Sequence, residues 1–151
     1  MILLDLDNCI SNDGWRIPVI GLQRDDRTVR DKYHLYHSLA LWDEPGNEAL
    51  MFAEEPTAIL TSRPVLYRDM TLEWLRRNRV NFAHLLMRNK DDMRSSVAVK
   101  REQLCWLINY YDVSLFDITA AYDDRPEIVE MYREFGIQSE VRAIHSIPYP
   151  S

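Results

Sequence analysis

Met1-Ile2-Leu3-Leu4-Asp5-Leu6-Asp7-Asn8-Cys9 is the stretch whose reading decides the fold. Ile2, Leu3 and Leu4 form a run that is apolar on both faces, as a parallel strand covered by helices on each side requires. Two carboxylates follow at once. In open α/β sheets, ligands bind beyond the carboxyl ends of the strands, so Asp5 and Asp7 fall where a substrate would sit. If extended backbone continues through Leu6, the two carboxylates share one side while Leu6 turns back into the core. One of them can then bind a divalent cation or attack an electrophile, and the other can donate or accept a proton. Asp is equally at home where strands end and turns begin, and three later segments decide between the two readings.

Outward from this strand, Ser11 to Arg30 reads as an irregular polar segment broken by Gly14, Pro18 and Gly21. Arg30 to Trp42 is aromatic-rich and suggests a short helix, and Asn47 is placed to cap another running to about Glu54. Thr57 to Leu60 reads as a second strand, Val65 to Arg77 as a helix, and Phe82 to Met87 as a third strand. Ser95 or Ser96 can cap a helix to about Tyr110 with Val97, Leu104, Cys105, Leu107 and Ile108 on its apolar face. Val113 to Ala121 gives a fourth strand. Pro126 opens a helix that Gly136 ends, Val141 to Ile144 forms a last strand, and Ile147 to Ser151 is a tail. Strands alternating with helices imply right-handed crossovers and a parallel sheet covered on both sides, an α/β architecture. Trp74, Trp106 and Cys105 are expected in the core.

With 151 residues, 46% apolar and 28% charged, the chain suits one globular domain spanning 1–151. No stretch approaches a membrane span, and no secretion signal is expected. Cys9 and Cys105 form no CxxC pair, which argues against a zinc site or disulfide framework and for a reducing cytoplasm. The net charge of -6 argues against broad nucleic-acid affinity. Between Thr61 and Arg101, however, ten Lys and Arg face four Asp and Glu, a basic middle that fits a local anion site.

Chemistry gathers at the carboxyl ends of three expected strands: Asp5 and Asp7, Thr61 and Ser62, Asp123 and Asp124; Lys100 lies near a helix start. A parallel sheet opens all such ends on one edge. Four carboxylates there would repel unless a cation joined them, and Mg2+ suits oxygen ligands and phosphate chemistry. Thr61, Lys100 and nearby arginines would supply donors for phosphate oxygens. The assembly serves phosphoryl transfer through an aspartyl phosphate.

Asp5-Leu6-Asp7, Ile59-Leu60-Thr61-Ser62-Arg63, Lys100 and Tyr122-Asp123-Asp124-Arg125 resemble the four ordered motifs of the haloacid dehalogenase superfamily of phosphohydrolases. Within that superfamily the chain resembles the 3'-phosphatase domains of bacteriophage polynucleotide kinases, most densely from Asp92 to Glu102 and from Asp123 to Arg133. The resemblance implies a Rossmann-like three-layer α/β/α fold, with residues 11–42 as a small cap or substrate-specificity insert after the first strand. It implies Asp5 as nucleophile and Asp7 as the acid that protonates the leaving alkoxide and then activates water. It places Mg2+ on Asp5, the backbone carbonyl of Asp7, and Asp123, with Asp124 assisting. Thr61 would bond the transferring phosphoryl group and Lys100 balance its charge. Ser62, with Arg63 and Arg94, which flank the expected site loops, is read as a substrate contact, and Arg68 as lying on a helix surface. The implied substrate is a phosphorylated nucleotide or a nucleic-acid 3' end, and the implied location the cytoplasm, the host's if the origin is a phage.

Two departures bear on these expectations. Family members usually have Gly-Thr where this chain has Asn8-Cys9, and no Gly-x-x-x-x-Gly-Lys-Ser/Thr loop is present to supply a kinase half. His34 and His37, with Tyr33, Tyr36 and Trp42, could stack on a base or form one packed face. A protein that captures a phosphorylated small molecule without turnover is the alternative of another class, and Asp5→Asn separates it from the enzyme. No protein partner or oligomeric state is legible.

Overall fold

The computed structural model describes residues 1–22 and 32–150. Residues 23–31 of the expected 11–42 insert, Arg30 among them, lie outside the described residues. A five-stranded sheet runs in the order β5-β4-β1-β6-β7, from β1 (Ile2–Leu4), β4 (Thr57–Pro64), β5 (His84–Arg88), β6 (Ala120–Asp123) and β7 (Ser139–Val141). Every pairing in it is parallel. The chain builds outward from β1 to β4 and β5 on one side, then crosses to β6 and β7 on the other. That reversal is the switch point at which a crevice opens beyond the strand ends. Asp5 follows β1, and Asp123 ends the neighbouring β6.

Side chains alternate across a strand, so β1 feeds two cores. Ile2 and Leu4 pack with Leu6, Ile59, Trp74 and Leu75, the last two from α3 (Arg68–Arg77). Leu3 packs with Ala58, Leu60, Leu104, Leu107 and Ile128 from the other side, against α4 (Ser96–Tyr110) and α5 (Pro126–Glu134). The helix ends follow their sequence signals. Ser95 accepts the Ala98 N–H and caps α4, Pro126 occupies the first turn of α5, and Gly136 takes the φ of 79° that ends it.

The insert after β1 contains a two-stranded antiparallel ribbon, β2 (Ser11–Asn12) with β3 (Glu44–Pro45), a 3-10 helix over Gly14–Val19, and α1 (His34–Ser38). A short α2 (Glu48–Met51) follows. Asn47 precedes α2 without capping it; its side-chain amide instead donates to the Cys9 carbonyl at 2.7 Å.

Further expectations are corrected. The fourth strand starts at Ala120 because Ser114 accepts the Phe116 N–H and winds Leu115–Asp117 into a 3-10 turn. The last strand is Ser139–Val141, after which Ile144 and His145 turn their N–H groups to the Asn8 side chain rather than to a strand. Trp106 is 43% exposed and stacks on Tyr110, and Cys105 is only half-buried. The buried stripe of α4 is Val99, Lys100, Gln103, Leu104 and Leu107, so the helix turns a polar pair inward and an aromatic pair outward. Trp74→Ala should therefore cost about 3–5 kcal/mol in urea unfolding, while Trp106→Ala should cost about 1 kcal/mol, the scale of an exposed aromatic pair.

Candidate active site

At the carboxyl edge of the sheet, carboxylate oxygens of Asp5, Asp123 and Asp124 lie within 4.8 Å of one another. Lys100, reaching in from the first turns of α4, is 3% exposed. Its Nζ donates to Asp5 Oδ1 at 2.8 Å and to Asp123 Oδ2. Burial alone would lower the ammonium's pKa, but Asp123 and Asp5 outweigh it and hold Lys100 charged. One ammonium does not balance three carboxylates. Burial, then the Asp5 charge, pushes Asp123 up to about 6, and the same two causes push Asp124 up to about 10. A hard divalent cation would relieve that surplus, and an all-oxygen donor set is what Mg2+ takes.

Asp7 occupies a different environment two residues away. The backbone carries Leu6 wholly into the core and leaves Asp5 and Asp7 lining one cavity of about 400 Å³. Asp7 Oδ1 accepts from Arg63 Nη2 at 2.6 Å and Arg16 Nη2 at 2.5 Å. Burial opposes ionisation of this carboxyl, but Arg63 and Arg16 prevail and hold it far below the usual carboxylate range. Arg16 is itself clamped: its Nε and Nη2 donate to both oxygens of buried Asp43 at 2.8 and 2.7 Å, and its guanidinium lies 4.1 Å from the Tyr36 ring centroid. Arg63 also donates to Thr71 of α3 at 2.9 Å.

The other expected residues are placed as follows. Thr61 is buried at the cavity wall, its Oγ1 accepting the Arg63 N–H at 3.1 Å. Ser62 lines the cavity with an Oγ that has no partner among the described residues. Arg94 lies on the rim, half-exposed and paired with Asp92 and Glu102. Arg68 donates to the Leu85 carbonyl and does not line the cavity. Of the aromatic segment, Tyr33, Tyr36 and His37 line the cavity, His34 meets the Tyr67 hydroxyl at 2.6 Å, and Trp42 is 66% exposed. Burial pulls His37 down to about 3, so its imidazole is neutral, and its Nδ1 has no partner among the described residues.

Arg16, Asp43 and Tyr149 are members of this site that sequence reasoning did not find. Arg16 sits in a segment with no periodicity or repeated spacing. Only its burial beside Asp7 gives it away.

The family model described as the polynucleotide kinase PNKP phosphatase domain matches residues 1–141. No curated protein matches the chain. Among solved structures, a chain in the Pnkp1/Rnl/Hen1 RNA repair complex has a TM-score of 0.68 at 22% identity, over 95% of this chain and 43% of that one. A haloacid dehalogenase-like family hydrolase from Streptococcus pneumoniae has a TM-score of 0.58 at 12% identity, over 91% of this chain and 81% of its own. L-2-haloacid dehalogenase from Xanthobacter autotrophicus has 0.54 at 10% identity, over 91% and 75%. At such identities the likeness is one of fold, and the chain spans less than half the length of the RNA-repair chain it matches. The family match runs from β1 through β7 and takes in the whole aspartate cluster, and the chain belongs to the polynucleotide kinase phosphatase-domain family of the haloacid dehalogenase superfamily.

Proposed function

We propose that this chain is a Mg2+-dependent phosphatase that hydrolyses a phosphomonoester of a nucleotide or of a nucleic-acid 3' end through an aspartyl phosphate. The observation that carries the reading is the division of labour between two neighbouring carboxylates. Asp5 sits with Lys100, Asp123 and Asp124, and Asp7 with Arg16 and Arg63, on one cavity. One carboxylate beside an ammonium and an aspartate cluster, and another beside two guanidiniums on the same cavity, suit a nucleophile next to an acid–base group.

Asp5 attacks phosphorus, forming an acyl phosphate as the ester P–O bond breaks, and the leaving alkoxide takes a proton from Asp7. Water then attacks the same phosphorus and gives its proton to Asp7 as the Asp5 ester oxygen leaves with its electron pair, which frees inorganic phosphate. Asp5, Asp123 and the Asp7 carbonyl, with Asp124, would hold Mg2+, whose charge would offset that of the phosphoryl oxygens. Lys100 donates to Asp5 and holds its carboxylate in place. Thr61, Ser62, Arg63 and Arg94 are the proposed phosphate contacts, Ser62 bringing a hydroxyl with no partner among the described residues. Arg63, Arg88, Arg94 and Arg125 on the cavity of an acidic chain, and a structural relative from an RNA repair complex, support a nucleotide or nucleic-acid substrate. Residues 11–42 supply Tyr33, Tyr36 and His37 to the cavity and are the proposed determinant of substrate choice within the single domain.

Phosphate release should be measured from 3'- and 5'-mononucleotides, a 3'-phosphorylated oligonucleotide and an aryl phosphate. Release that EDTA and Asp5→Asn each abolish is expected. A nucleotide retained but never hydrolysed would instead mark a capture protein.

Asp7 raises a protonation question with a measurable answer. Its carboxyl is ionised in the free protein, the state that suits attack by water but not donation to an alkoxide. The bound phosphoryl group sets negative charge beside it and raises its affinity for a proton, which the monoanionic ester itself carries in. The dianion forms as pH rises through the ester's second pKa of about 6. kcat/KM should therefore fall above about pH 6, and a profile that keeps rising to pH 8 would exclude this route.

Arg16 acts through Asp7. Arg16→Lys preserves charge but cannot span both Asp43 oxygens and Asp7. It should lower kcat by about 100-fold, the scale of one misplaced acid–base group, with KM changed by no more than about threefold.

A further inference from the structure

The family match ends at Val141, yet the chain does not leave the site there. Past β7 it turns back across the carboxyl edge of the sheet and reaches the cavity again at Tyr149. Two buried side chains tie this passage down. Asn8, 4% exposed, accepts the N–H groups of Ile144 at 3.1 Å and His145 at 2.9 Å on its side-chain oxygen. Its amide donates to the His145 carbonyl at 3.1 Å and to Asp124 at 3.2 Å. Asp13, wholly buried, takes the second hold: Oδ1 meets His145 Nε2 at 2.5 Å, and Oδ2 accepts from the hydroxyls of Tyr149 and Tyr36, each at 2.5 Å.

We propose that residues 142–150 form a strap that selects substrate, with Tyr149 as the specificity-determining residue that packs against the leaving group. The inference rests on the phosphatase reading above. Tyr149 lines the same cavity as Asp5 and Asp7. Its hydroxyl is pinned to Asp13, its ring stands at 89° to that of Tyr36 with centroids 6.3 Å apart, and the Arg125 guanidinium lies 5.2 Å from its centroid. A ring fixed at both its hydroxyl and its edge offers a contact surface that loses little entropy on binding. With Tyr33, Pro64 and Met93 also on the cavity, the lining beyond the phosphate donors suits a planar, partly apolar group such as a nucleoside.

Asn8 ties the strap to the chemistry. It stands where the resemblance calls for glycine, and at φ 61° it takes a backbone conformation glycine would adopt without strain. The departure from the family pattern thus provides the side chain that anchors the strap beside Asp7 and Asp124.

The test compares kcat/KM for a nucleoside 3'-monophosphate with that for glycerol phosphate, whose leaving group has no ring, in the wild type, Tyr149→Ala and Asn8→Gly. Tyr149→Ala should lower the nucleotide-to-glycerol ratio about tenfold through the nucleotide KM, the effect of one lost stacking contact of about 1.4 kcal/mol. Asn8→Gly should lower the same ratio by less, since it removes the side-chain hold on Ile144 and His145 but leaves the Asp13 hold on His145 and Tyr149. A ratio unchanged in Tyr149→Ala overturns the proposal while the phosphatase reading stands. Should that variant fail to fold, as thermal melting would show, an unchanged ratio in Tyr149→Leu, which keeps apolar bulk but removes the ring, overturns it instead. A wild type that releases phosphate from neither compound removes the phosphatase reading and this inference with it.

Discussion

A lysine ammonium buried to 3% exposure must be matched by negative charge, and that constraint organises this protein. Lys100 can meet both Asp5 and Asp123 only if α4 packs across the sheet with this residue facing the carboxyl ends of β1 and β6. The apolar residues Leu104 and Leu107, one and two turns further along the same stripe, hold that register against Leu3 and Leu60. Packing and charge therefore fix one geometry together. The helix cannot rotate to bury Trp106 without pulling Lys100 from its partners, which accounts for an aromatic pair left facing solvent on a helix that has apolar residues all round.

Asp5 and Asp7 show how strongly surroundings outrank residue type. They are two positions apart on one extended stretch, yet one faces an ammonium and two more carboxylates, and the other two guanidiniums. The arginine cage is assembled from two remote places. Arg63 comes from the end of β4 and Arg16 from the insert, where Asp43 grips it through both oxygens. The insert is thus joined to the centre of the site by charge pairs that are themselves almost fully buried. Such pairs demand good geometry, since leaving one charge unmatched there is costly.

A second layer of polar contacts repeats this logic at the entrance. Asp13 receives groups from α1 and from residues 142–150, and Asn8 receives backbone N–H groups that no strand claims. The acidic and amide side chains that the insert and the first loop turn inward serve as sockets for segments from elsewhere in the chain. The walls of the cavity are consequently drawn from both ends of the sequence.

Much of this was legible in the residues themselves. The apolar run of Ile2 to Leu4, the helical stripe of Val65 to Arg77, the Ser95 cap, and Pro126 with Gly136 are local signals, because backbone sterics and side-chain period act over a few residues. The parallel sheet followed from their alternation, and the gathering of Asp5, Thr61, Lys100 and Asp123 from the rule that parallel strand ends share an edge. The resemblance to the haloacid dehalogenase motifs rested on the same short, local patterns. What the sequence could not disclose depends on contacts between distant segments: Arg16 on Asp7, Asn8 and Asp13 on residues 142–150, and Trp106 outside the core. An arginine in an irregular segment has no period, and a side-chain amide that captures a backbone 136 residues away leaves no mark in either stretch. The sequence by itself determined the sheet, its order of helices and which residues gather at its carboxyl edge. Tertiary structure alone decided which charges meet, and so why two neighbouring aspartates face opposite surroundings, because burial and Coulomb interaction depend on distance in space and not on distance along the chain.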